Sequence, residues 1–167
     1  MGKKIGEGLI LIFLLILASG GFAEERPQNV VSFDLIELAG GAFNFGYERV
    51  LSPKVSFDVN LALGSSEETV PVRGAIGVRH YLFESKAPEG FWAGICAYFA
   101  APPEESLKYV SVETVGGGLN VGYKAFLPDN FNLEGFLGYY LLIEKEELLP
   151  AVSIRGITVS FRIGRAF

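Results

Sequence analysis

From Asn29 onward, apolar and polar residues alternate with a period of two, the repeat of a β-strand whose faces meet different surroundings. Residues 55–64 show it plainly: Val55, Phe57, Val59, Leu61 and Leu63 alternate with Ser56, Asp58, Asn60 and Ala62. Alternating runs separated by turn-forming stretches predict eight strands, at 29–38, 41–50, 55–64, 71–83, 91–101, 114–127, 131–143 and 151–167. The separators include Ala39-Gly40-Gly41, Leu51-Ser-Pro-Lys54, Ser85-Lys-Ala-Pro-Glu-Gly90 and Pro128-Asp-Asn130. No stretch of period 3.6 competes, so the expectation is an all-β, eight-stranded antiparallel up-and-down barrel. Strands of this length exceed the usual five or six residues of a soluble sheet and suit a tilted strand crossing a bilayer. Only the first strand alternates poorly, at Ile36, Glu37 and Leu38.

Which face turns inward is decided by glycine and charge. By parity, the polar face holds Gly46, Gly77, Gly94, Gly116, Gly118, Gly122, Gly138, Gly156 and Gly164, the apolar face only Gly74, Gly117 and Gly135. A solvated face gains nothing from glycine, which weakens strands, whereas the lumen of an eight-stranded barrel has room only for tightly packed side chains. The same face carries Asp34, Glu48, Asp58 and Glu134 against Arg73, Arg79, Lys124 and Arg162. Equal numbers of each sign suit a confined interior, where charges must pair. The arrangement predicts a salt-bridged, plugged lumen and an apolar outer face turned to lipid.

Composition then fits. The 167 residues are 50% apolar and 20% charged, yet no apolar run beyond the N-terminus is long enough for a membrane helix. Lys3 and Lys4, the apolar Leu9–Ala18 and the small residues flanking Phe22 follow the layout of a secretory signal, predicting removal of residues 1–23 and a mature barrel domain of 24–167. A net charge of −5 argues against a nucleic-acid partner. One Cys and one His exclude a disulfide framework and an ordinary zinc site. The connections at 64–70, 101–113 and 144–150 carry Glu67, Glu68, Glu104, Glu105, Glu113, Glu144, Glu146 and Glu147, read as a solvated acidic rim rather than a cation site. The longest connection, Ala101 to Glu113, with Leu107, Tyr109 and Val110, is best placed for a surface partner.

With both termini at the periplasmic side, Tyr47, Phe57, His80, Phe91, Tyr123, Phe131 and Phe167 face outward near that rim, as expected of a membrane-interface girdle. Arg49 and Arg165 interrupt the apolar face only there, where long basic side chains reach headgroups. The closing segment Gly156–Phe167, with Ile157, Val159, Phe161, Ile163 and a final Phe167, resembles the C-terminal assembly signal of bacterial outer-membrane barrels, although Arg165 replaces the apolar residue usual at its position. The mature chain resembles small eight-stranded barrels of the OmpA or OmpX type, and Val72–Phe83 with Gly90–Gly94 is similar to an uncharacterised outer-membrane barrel family. This resemblance implies residence in the bacterial outer membrane as a monomer, contact with outer-membrane lipid, and recognition by the barrel assembly machinery through the last strand.

Candidate chemistry is thin. His80 has no nearby Ser and acid in sequence to form a hydrolytic set, and it falls at the wrong end of its strand for outer-leaflet lipid. An ion path along Glu134 and its basic neighbours needs a bore that eight strands do not supply. Gly116-Gly-Gly118 lacks the pattern of a phosphate loop, and Cys96 reads as a small packing residue. The expectation is a non-enzymatic barrel without cofactor or metal. Two other classes stay open: a secreted lipocalin-like carrier, which needs its apolar face inside, and a small transport barrel, which needs an emptier lumen.

Overall fold

A computed structural model describes residues 27–64, 72–101, 114–144 and 151–167. Strands β1 (Asn29–Asp34), β2 (Ala42–Ser52), β3 (Val55–Gly64), β4 (Val72–Tyr81), β5 (Gly90–Ala101), β6 (Thr114–Phe126), β7 (Phe131–Glu144) and β8 (Ala151–Ala166) pair with their sequence neighbours. β1 also pairs antiparallel with β8, Val30 opposite Ala166 and Asp34 opposite Arg162, so the sheet closes into an eight-stranded barrel. Closure leaves no sheet edge, and each ladder satisfies its neighbour's backbone groups. Residues 53–54, 82–89 and 127–130, the start of β1 and the C-terminal Phe167 lie at one end, the short-turn end. The segments containing 65–71, 102–113 and 145–150 join strands at the other, the long-connection end.

Alternation sorts the faces as the pattern predicts. Ile95, Leu119, Val159 and Phe161 are exposed on the outside, Leu119 by 63%. Glu48, Arg79, Lys124, Glu134 and Arg162 are buried inside. Glycine serves the crowded interior: a Cβ at Gly118 would lie 2.6 Å from the Tyr140 ring, and one at Gly122 2.7 Å from both Trp92 and Phe136. At the outward Gly135 it would meet nothing.

The structure corrects the sequence reading at three places. The first strand stops at Asp34 rather than running to residue 38, and a short helix, α1 (Leu35–Ala39), follows. Asp34 ends the strand by capping that helix: its Oδ1 accepts from the backbone N–H of Ile36 at 2.9 Å and of Glu37 at 3.1 Å. The poor alternation at 36–38 is thus helical turn, not strand. The fourth strand ends at Tyr81 instead of residue 83, and residues 82–89 fold back under the barrel. There the Ala87 N–H donates to Pro53 O at 2.9 Å, and Lys54 Nζ donates to the carbonyls of Phe83 and Ser85. Ala87 is thereby buried against Tyr81, Trp92 and Phe136, closing the short-turn end of the lumen.

Gly156 is the third correction. It does not face inward but sits in a β-bulge: Tyr139 pairs with Ile157 and Leu141 with Ile154, leaving two β8 residues opposite Tyr140. Its φ of +71° is the left-handed backbone that glycine adopts without steric cost, and it points into open space. The parity of β8 therefore shifts above this point.

Candidate functional site

The lumen is built in two layers. Nearest the short-turn end, five strands contribute a buried cluster of Glu48 (β2), Asp58 (β3), Arg79 (β4), Lys124 (β6) and Glu134 (β7). Glu48 and Asp58 stand directly opposite each other in the β2–β3 register, an arrangement that by itself repels. Arg79 resolves it. Its guanidinium lies 3.1 Å from Glu48 Oε2, 3.2 Å from Asp58 Oδ1 and 2.6 Å from Glu134 Oε1, stacked 4.2 Å over the Trp92 ring. Lys124 Nζ binds Glu48 Oε2 and lies 3.7 Å from Glu134 Oε1. The other Glu48 oxygen accepts from Tyr81 Oη at 2.6 Å and Ser56 Oγ at 2.5 Å. Three carboxylates thus share two cations and two hydroxyls.

Above this plug, Arg162 lies 3.9 Å from Asp34, donates to Asn60 Oδ1 at 2.7 Å and stacks 4.7 Å over Phe136. Asp34 also accepts from Ser160 Oγ while capping α1. Arg73 departs from the expected set. It pairs with none of the four predicted carboxylates but with Glu37 on α1, at 3.2 Å, with 37% of the Arg73 side chain exposed. Between plug and rim lies a cavity of about 190 Å³ lined by polar and aromatic side chains.

Seven of the eight predicted lumen residues therefore converge on the interior network, and Arg73 sits at its rim. The sequence reading missed Ser56, Asn60, Tyr81 and Ser160, which hydrogen-bond to its members. Their parity matches that of Asp58, Arg79 and Arg162, so alternation carried the signal. It also missed Glu37, which belongs to a helix that alternation cannot register.

On the outside, the predicted ring residues lie toward the short-turn end, except that Tyr47 is at the middle of β2, its Oη donating to Asn29 Oδ1 at 2.7 Å. Phe91 and Tyr123 face each other across β5 and β6 with centroids 4.7 Å apart. Phe83, which the alternation did not single out, adds a third ring 6.2 Å from Phe91. Arg49 donates to Asn29 Oδ1 and Arg165 lies 5.6 Å from the Phe131 ring. Ile157, Val159 and Phe161 form an exposed row on β8, and Ile163 and the exposed Phe167 continue toward the short-turn end. His80 is exposed, and its register partners Val55 and Ala93 bring no acid or hydroxyl to it.

Among the described residues, no cluster of His, Cys, Asp and Glu has metal-binding geometry, and no helix is long and apolar enough to cross a membrane. The signal segment 1–23 and the acidic residues Glu67, Glu68, Glu104, Glu105, Glu113, Glu146 and Glu147 lie outside the described residues. A charged interior also removes the basis of the lipocalin-like reading, which needs an apolar cavity. No protein family matches the chain, and neither does any curated protein or solved structure.

Proposed function

We propose that the chain is an integral β-barrel of the bacterial outer membrane, of the OmpA or OmpX type, with a non-enzymatic structural or surface-interaction role. The observation that carries this reading is the inversion of polarity: apolar side chains cover the outside of a barrel whose inside holds paired charge. In water this arrangement would expose a continuous apolar belt far beyond what a soluble monomer tolerates. In a bilayer it places that belt in hydrocarbon, while closure satisfies the backbone of every described strand pairing. On this reading the short-turn end is periplasmic, and Phe83, Phe91 and Tyr123 lie at headgroup level with Arg49 and Arg165. The exposed β8 row with Phe167 is the segment presented to the assembly machinery, after export directed by residues 1–23.

The test is refolding of the full chain from urea into detergent micelles and into plain buffer. A barrel that migrates faster unheated than boiled on a denaturing gel, formed only with detergent, is the expected result. A stable, soluble monomer rich in β-structure in detergent-free buffer would overturn the proposal.

A further inference from the structure

The half of the lumen above the charge plug has the features of a ligand site that packing does not explain. Its cavity of about 190 Å³ equals the liquid volume of about six waters, room for one small ring but not for a drug-sized molecule. Three residues at least nine-tenths buried line it, and each carries a polar atom with no hydrogen-bond partner among the described residues: Asn44 Oδ1, Trp92 Nε1 and Arg162 Nε, the last only within ion-pair distance of Asp34. One is an acceptor and two are donors, so the cavity calls for a ligand that both donates and accepts.

Charge narrows the chemistry. The ionised groups on the wall are matched: Glu37 with Arg73 at 3.2 Å, Asp58 with Arg79 at 3.2 Å, and Asp34 with Arg162 at 3.9 Å. Each sign is already met, so an anion, a cation or a zwitterion would find no unspent counter-charge and would lose its hydration on entering. A neutral solute escapes that penalty. Tyr98 and Tyr140, edge to face with centroids 5.8 Å apart, add aromatic surface beside the planar amides of Asn60 and Asn120. Planar polar groups interleaved with aromatic faces suit a ring that is hydroxylated at its edges and apolar on its faces.

We propose that the upper lumen is a blind-ended binding site for one neutral polyhydroxylated ring, a monosaccharide unit entering from the long-connection end. The floor is the Arg79–Trp92 stack with Phe136, and Glu37 and Arg73 mark the rim. The proposal rests on the interior of the barrel and does not depend on whether its outside meets lipid.

Cys96 supplies the assay, being the chain's single cysteine and lining the cavity 3.4 Å from Asn120 Nδ2. The full chain, refolded in detergent and shown to be heat-modifiable, is reacted with methyl methanethiosulfonate, alone and with D-glucose or N-acetyl-D-glucosamine. At about ten times its Kd, a sugar in the cavity slows the modification about tenfold. Asn44→Leu, or Thr158→Val if the first does not fold, removes that protection while leaving the heat-modifiable form. The proposal fails if neither sugar changes the rate up to about 0.1 M, far above the millimolar affinity of a weak site. It fails equally if inorganic phosphate or glycine protects as well as the sugars, or if Cys96 does not react in the folded barrel. A folded barrel that protects Cys96 yet proves soluble without detergent would sink the membrane reading and leave this one standing.

Discussion

Replacing Arg79 by methionine tests the interior most directly. The substitution keeps much of the apolar stem and removes the guanidinium. Glu48, Asp58 and Glu134 then share a single cation, Lys124, which reaches Glu48 and Glu134 but has no contact with Asp58. Breaking one buried pair by deleting a partner costs about 3–5 kcal/mol, because it strands a charge away from water. Arg79 is 4% exposed and serves three carboxylates, so the loss belongs at the upper end of that range. The lost stack on Trp92 adds about 0.5–2 kcal/mol. Urea unfolding of the refolded protein, followed by the fluorescence of the single tryptophan and by circular dichroism, reads the change. If Glu134→Gln is introduced as well, the double variant should lose less than the sum of the two, since one stranded carboxylate has been neutralised. A loss below about 1 kcal/mol, the value of a solvated ion pair, would refute the buried network. Strict additivity would show that Arg79 and Glu134 do not interact.

Other consequences can be checked separately. Gly156→Val should destabilise by at least about 1 kcal/mol because a β-branched residue resists φ of +71°, whereas Gly135→Val on the open outer face should be neutral or stabilising; paired urea midpoints measure both. Asp34→Ala removes the cap of α1 and the partner of Arg162. Amide exchange at Ile36 and Glu37 should therefore accelerate before that of the β2–β3 ladder does; equal acceleration in both would contradict a local capping role. Planar-bilayer recordings of the full chain should show no discrete conductance steps, since Ala87 and the charge cluster close the lumen at the short-turn end. Sustained openings would mean that this end is not plugged.

Much of the barrel was legible because alternation is a direct image of the pleat. β3, β6 and β7 lie within a residue of their predicted bounds, and their inward charges point where parity puts them. What escaped depends on atoms distant in sequence or on backbone geometry. Asp34 reads equally well as an inward strand residue and as a helix cap, and in the structure it is both, so no pattern could mark where β1 stops. Glu37 looks like a break in alternation because its role is set by Arg73, across the barrel mouth. Residues 82–89 have turn composition, but only their contacts with Pro53, Lys54 and Trp92 make them a plug. Gly156 was counted by parity, which a bulge resets. The cavity is a difference between side-chain volumes across strands and leaves no trace along any one of them.

The opposition of Glu48 and Asp58 bears on how the molecule can be assembled and altered. The β2–β3 hairpin carries its own repulsion, and relief arrives from Arg79 on β4 and Lys124 on β6, two separate later stretches of chain, while β7 brings a third carboxylate, Glu134. The β2–β3 hairpin is thus not electrically self-sufficient, unlike β6–β7, where Lys124 stands opposite Glu134. A fragment ending before β6 would hold Glu48 and Asp58 with Arg79 alone, one cation for two acids, so closing the barrel adds the charge balance that the early strands lack. The same dependence couples mutation: a sign change at any one of these positions is tolerable only with a matching change on a strand elsewhere around the circumference. Drift in this interior is therefore expected in pairs, while the outer face can exchange one apolar residue for another singly.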